Sequence, residues 1–176
     1  PPAFERDRTQ NWTTHVMKSP HPLTDQERAA WWRLSRTSGI GPITFFKLIE
    51  QYKTATEAIN WLPELSRRGG RKIPFSVFGT AQAEDEIAAL HHVGARLIAA
   101  CEPDYPDLLR QIDDAPPVLT VRGNPQTWVN KNCLALVGGR NASLPGRKMA
   151  ENLAKDLGAR GYVVVSGMAR GIDTAA

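Results

Sequence analysis

Two stretches place glycines beside an arginine in patterns suited to holding an anion: Val137-Gly138-Gly139-Arg140-Asn141-Ala142-Ser143 and Ser166-Gly167-Met168-Ala169-Arg170-Gly171-Ile172-Asp173. Glycine lets backbone N–H groups approach a ligand closely, and a guanidinium offers a planar fork of donors that matches phosphate. Ser143 can cap the helix that follows or donate to the anion, and Ser166 and Gly167 repeat the design in the second turn. Asp173 fits an anion site poorly and is expected to cap or to pair with an arginine, keeping its loop in shape. Either stretch alone also reads as a tight strand-to-helix turn with a surface arginine. Two of them at the carboxyl edge of one sheet, where open α/β folds seat their ligands, favour the anion site.

Other chemistries find less support. The spacing from Gly138 breaks the Gly-x-Gly-x-x-Gly pattern of dinucleotide sites, and the Gly-Lys-Ser/Thr ending of a phosphate-binding loop does not occur. No cluster of His, Cys or carboxylates has metal-ligand spacing, and no nucleophile is set beside a base. Neither a catalytic residue nor a metal or cofactor is therefore expected. His91 and His92 fall at the end of a helix, where capping is the expected role. Ser38-Gly39-Ile40-Gly41-Pro42 is similar to the turn of a helical hairpin, whose glycine amides can hold a DNA phosphate. Pro42 removes one such amide, and Arg33, Arg36 and Lys47 form no dense patch, so a structural hairpin is the favoured reading. Trp31, Trp32, Phe45 and Phe46 lie at helical spacing and are expected in the core. Trp61 and Trp128 stay open between core and base stacking.

The elements that position these residues follow from the periodicity. Residues 1–22 hold Pro1, Pro2, Pro20 and Pro22, show no period, and are expected to form a loose arm. Residues 23–93 are helical in pattern. Thr24 or Asp25 can cap a first helix carrying Ala30, Trp31 and Leu34. Pro42 opens a second, with Phe45, Phe46, Leu48, Ile49 and Tyr52. A third is expected over Thr56–Trp61 and a fourth over Ala81–Val93, with a basic, glycine-rich loop over Arg67–Lys72. The period changes at Gly94. Ala95–Ala100 reads as a strand, Asp104-Tyr105-Pro106 as a turn into a short helix, and Val118–Val121 as another strand. Cys133–Val137 and Tyr162–Val165 are continuous apolar runs of the kind buried on both faces of a parallel sheet. A helix over about Pro145–Leu157 between them completes a βαβ unit, so residues 94–176 are assigned to an α/β domain.

Charge sharpens the picture. Lys131, Arg140, Arg147, Lys148, Lys155, Arg160 and Arg170 face only Glu151, Asp156 and Asp173, so the whole net charge of +4 resides in residues 131–176. For Lys155 and Arg160 a solvated helix face is the favoured reading; for the segment as a whole, a surface for polyanions. Cys101 and Cys133 are too few for a disulfide framework and are expected as small core residues in a reducing compartment, the cytoplasm. No run approaches the length needed to span a bilayer, and no signal-peptide pattern is present. The first residue is Pro1, so the N-terminus is expected to be trimmed or processed.

In combination the second half resembles the DprA/Smf family, the DNA-processing proteins of natural transformation. The residues that carry the likeness are Asp104-Tyr105-Pro106 with Leu109, Asp114, Pro116-Pro117-Val118-Leu119 and Arg122-Gly123-Asn124. They continue with Val137-Gly138-Gly139-Arg140, Ala142-Ser143, Gly146 and the run Ser166–Asp173. The helices before them are similar to the SAM-like, or helix-hairpin-helix-like, domain that precedes the Rossmann-like domain in many members. The resemblance implies sequence-independent binding of single-stranded DNA, protection of incoming strands, loading of the RecA recombinase and a homodimer, with no turnover and no required cofactor. It implies DNA contacts at Gly139 and Arg140, and Gly138, Ser143, Arg147, Ser166, Gly167, Arg170 and Gly171 complete the expected nucleic-acid site. Asp173 is assigned a structural place beside it. Gly139 stands where serine is usual in the family, which removes a hydroxyl donor and keeps the amide. Because the chain ends at Ala176 inside a helix, it is expected to be a fragment with uncovered strand edges and weaker DNA binding than its parent. A nucleotide sensor or nucleotide-processing enzyme on a related fold is the alternative, although the Pro-Gly-Gly-x-Gly-Thr signature of such relatives does not occur. A protein-docking role for the helical domain is a third.

Overall fold

The structure, a computed structural model, describes residues 20–68, 75–129 and 131–176. Most of the expected arm, residues 1–19, and the glycine-rich part of the Arg67–Lys72 loop, residues 69–72, lie outside them. At the end of the arm and the start of the helical segment, two amides are tied to the fold. The His21 amide donates to the Cys101 carbonyl at 2.9 Å, and the Leu23 amide to Glu102 Oε1 at 3.3 Å.

The chain forms two compact units, divided at Gly123–Asn124. In the first, α1 (Asp25–Arg36) starts where Thr24 accepts a hydrogen bond from the Glu27 amide, and it buries Ala30, Trp31 and Leu34. Pro42 at the first turn sets α2 (Pro42–Tyr52), whose Phe45, Phe46, Leu48 and Ile49 are buried. Trp31 meets Phe45 edge-on at 4.9 Å, and Phe45 meets Phe46 at 5.5 Å. Trp32, expected in the core, is only half-buried, because its indole N–H reaches outward to Glu86 at 2.8 Å.

The third helix, α3 (Ala55–Arg68), runs well beyond the expected Trp61 and through Pro63. Its N-terminus is held by Glu27 of α1, which accepts from the Ala55 amide and from the Thr56 hydroxyl at 2.8 Å. Ala55, Ala58, Leu62 and Ser66 form one buried stripe, and that packing outweighs the backbone bond Pro63 cannot make. The fourth helix, α4 (Thr80–His92), carries His91 and His92 in its last turn.

Strand β1 (Ala95–Ala99) pairs antiparallel with β2 (Val118–Arg122), from Ala95 opposite Arg122 to Ala99 opposite Val118. Between them lies the short α5 (Asp107–Arg110). β1 packs against α1 and α4, and this is why compactness draws the boundary after β2 rather than at Gly94. Cys101 is buried here, and desolvation with the neighbouring Glu102 pushes its thiol up to about 12.

In the second unit β3 (Cys133–Ala135) and β4 (Val163–Val165) form a parallel pair in the register Cys133–Val163, Leu134–Val164 and Ala135–Val165. The crossover is α6 (Leu144–Ala159), and the short α7 (Ile172–Ala175) follows β4. This is a Rossmann-like βαβ unit. Both strands are shorter than expected and only half-buried, as is Cys133, so neither the double-sided burial nor the core cysteine is realised among the described residues. Val137 is 74% exposed and Val165 49%.

Candidate nucleic-acid interface

The two glycine–arginine turns form one continuous surface at the carboxyl ends of β3 and β4. The Ile172 amide donates to the Gly139 carbonyl at 3.3 Å, tying the second turn to the first. Gly171 has φ +90, and a Cβ there would stand 2.2 Å from the Gly139 carbonyl oxygen and 2.6 Å from that of Arg140. Only glycine permits this backbone-on-backbone contact. Gly138 serves the same end: a Cβ on it would lie 2.6 Å from Ile172 Cγ1. At Gly167 a Cβ would lie 2.9 Å from an Asp173 carboxylate oxygen. Three of the four expected ligand-facing glycines therefore serve close packing. The exception is Gly139, with open space around its Cβ position.

The serines divide in the same way. Ser143 caps α6, its Oγ accepting from the Gly146 amide at 3.2 Å and keeping its own hydrogen for donation. Ser166 donates to the Leu136 carbonyl at 2.8 Å, so its hydrogen is engaged in joining the strand ends. Pro145 has no N–H and the Gly146 amide is taken, so the first turn of α6 offers few free donors. What remains open is the loop before it: the amides of Gly139, Arg140, Asn141 and Ala142 donate to no acceptor among the described residues. α7 is too short to supply a useful dipole, so only α6 contributes a positive helix end.

The cations converge. Arg140, Arg147 and Arg170 line a hollow of about 480 Å³ with Ala142, Gly171, Thr174 and Ala175. No acidic side chain lines it. All three residues are exposed, and their guanidinium groups make no hydrogen bond or ion pair to a described residue. Asp173, expected to pair with an arginine or to cap, lies over Gly167 instead, while the cap position of α7 is Gly171. Lys148 and Lys155, in contrast, both bind Glu151 on the helix face, at 3.1 and 2.5 Å. Hydrogen bonds from Lys155 and then Lys148 hold that carboxyl below the usual range.

The larger hollow, about 580 Å³, belongs to the first unit and is electrically self-contained. Within its lining Arg28 pairs with Glu102 at 2.6 Å and Arg96 with Asp104 at 2.7 Å. In the hairpin turn, Ile40 is buried and its amide donates to the Thr37 carbonyl at 3.1 Å, which fits the structural reading. Trp61 stacks on Tyr52 at 6.0 Å and remains 44% exposed. Among the described residues there is no group of His, Cys, Asp and Glu that could hold a metal ion, and no helix long and apolar enough to cross a membrane.

Comparison with known proteins adds the lineage. A family model described as DNA recombination-mediator protein A matches residues 96–176, and one described as the DprA-like N-terminal HHH domain matches residues 25–89. The DNA processing protein DprA of Bacillus subtilis (strain 168) is 33% identical over 87 residues, 49% of this chain and 29% of that protein. Protein Smf of Synechocystis sp. is 25% identical over 162 residues, 86% of this chain and 40% of the relative. The crystal structure of DNA processing protein A from Streptococcus pneumoniae is similar with a TM-score of 0.57 and 27% identity. That match covers 88% of this chain and 53% of the crystallised one, so the chain spans about half the length of the solved relative. With the two family models following one another along the sequence and a helical unit leading into a parallel βαβ unit, the chain belongs to the DprA/Smf family.

Proposed function

We propose that the second unit holds single-stranded DNA by its phosphates, independently of base sequence, at the Gly139–Arg140 corner. The observation that carries this reading is the set of three arginines, their guanidiniums without a partner among the described residues, around one hollow with no acidic side chain in its described lining, beside a run of open backbone amides. Guanidinium forks and amides are the groups that bind phosphodiesters, and neither distinguishes one base from another. Arg140, Arg147 and Arg170 supply charge, Gly139 and its neighbours supply amides, and Ser143 keeps one hydrogen to donate. Gly138, Gly167, Gly171 and Ser166 shape the corner, and Asp173 sits behind Gly167.

The protein acts by binding rather than turnover and needs no cofactor. Its place is in DNA uptake and transformation in the cytoplasm, where it shields incoming strands and hands them to the RecA recombinase as a dimer. The family descriptions, DNA processing and recombination mediation, support that setting.

Fluorescence anisotropy with labelled oligonucleotides of unrelated sequence tests the binding claim. Arg140→Ala weakens binding to all of them by a similar factor, roughly tenfold for one lost charge-assisted contact. The slope of log K against log salt falls by about 0.7. Tight binding that ignores this substitution rules the reading out.

A further inference from the structure

Met168 has no part in the phosphate contacts, yet it is the most exposed large apolar residue of the described chain, at 90%. Its backbone is left-handed, with φ 56, a conformation that a methionine rarely adopts. The turn around it is tied down on both sides. Ser166 donates to the Leu136 carbonyl, the Asp173 carboxylate lies over Gly167, and the Thr174 hydroxyl donates to the Ala169 carbonyl at 2.6 Å. The strain is thus fixed by neighbours, and it holds an apolar side chain out in water two residues before Arg170. Such outliers cluster where a ligand is met. A second apolar side chain stands at the same edge: the strand register carries Val137, 74% exposed, to the level of Gly167.

We propose that Met168 is a nucleobase contact: while the arginines hold phosphates, its thioether rests on the face of an unpaired base. This rests on the phosphate reading above and names its substrate more narrowly. A phosphate seat alone accepts any polyanion. An apolar side chain on the loop that carries Arg170 favours strands whose bases are splayed and available, which excludes a closed duplex. Sulfur–aromatic contact is tolerant of base identity, so the binding stays independent of sequence.

The test compares an oligo-dT strand with an abasic strand of equal length, for the unchanged protein, Met168→Gly and Arg140→Ala. Glycine keeps the left-handed backbone, so the turn is retained; circular dichroism checks the fold. Expected is a preference of about two- to tenfold for oligo-dT over the abasic strand in the unchanged protein. Met168→Gly loses that preference and binds the abasic strand as before. Arg140→Ala weakens both and keeps the preference. Equal binding of both strands by the unchanged protein, or a Met168→Gly variant that still prefers oligo-dT or weakens on both, overturns the base contact. If Arg140→Ala weakens neither strand, the phosphate reading fails instead, whatever Met168 does.

Discussion

The two units use the same residue type for opposite ends. In the first, five arginines are built into the fold by their side chains. Arg28 binds Glu102, Asp25 and the Leu23 carbonyl; Arg33 binds the Phe78 carbonyl; Arg36 binds Glu86 and lies over Trp32 and Phe78. Arg96 binds Asp104, and Arg110 gathers the carbonyls of Ala100, Glu102 and Tyr105. In the second unit the guanidiniums of Arg140, Arg147 and Arg170 are exposed without such partners among the described residues. A cation that is hydrogen-bonded within the fold stabilises the fold; one left in water at a corner with open amides is available to a ligand. Position, rather than residue count, decides which.

The largest expected effect lies in the first unit. Glu102 is buried, and burial works against its ionisation. The hydrogen bonds from Arg28 and the Ala99 and Leu23 amides outweigh that and hold its carboxyl below the usual range. Arg28→Ala strands this charge and is expected to cost about 3–5 kcal/mol in urea denaturation. Because the folded value is depressed, the Glu102 contribution is complete above the ordinary carboxylate range and is lost as pH falls through the folded value. Glu102→Gln therefore lowers stability at neutral pH and flattens the acid limb of a stability–pH curve. An acid limb as steep as before would show that other carboxylates set it.

What the sequence alone could show follows from how far each interaction reaches. Thr24 and Pro42 mark helix starts by local chemistry, and both did so in the structure. The parallel pair was legible because two apolar runs flank a helical pattern. The extension of α3 past Pro63 was not, since it depends on Leu62 and Ser66 being buried by other elements. Likewise β1 and β2 read as part of the α/β domain, as the family model starting at residue 96 also has them, while compactness groups them with the helices through packing on α1 and α4. At the corner the arginines were legible from type and charge. The glycine roles were not, because Gly138 answers to Ile172 and Gly171 to Gly139, partners distant in sequence.

An intermediate effect is expected at Gly138. A methyl there would press on Ile172, so Gly138→Ala is expected to destabilise the second unit by about 1–3 kcal/mol. Paired with Ile172→Ala, which opens the space, part of the loss should return in a thermal melt. No recovery in the double variant would mean that the glycine is needed at the ligand side of the turn, as its motif first suggested. Gly139→Ala is the matching control, with open space to receive the methyl and little expected change in the melt.

The smallest effect on stability is expected from the residues with the largest proposed effect on binding. The guanidiniums of Arg140, Arg147 and Arg170 make no hydrogen bond or ion pair among the described residues and the residues are exposed, so each alanine substitution should change stability by no more than about 0.5 kcal/mol. Removing all three should, if anything, relieve like-charge crowding around the hollow, and the melting temperature should hold or rise slightly at low salt. The salt slope of single-strand binding falls by about 2 at the same time, near 0.7 for each phosphate contact removed. Separation of the two readouts is the point: a triple variant that melts early, as Arg28→Ala does, would mean that these arginines are structural after all and that the contrast between the units does not hold.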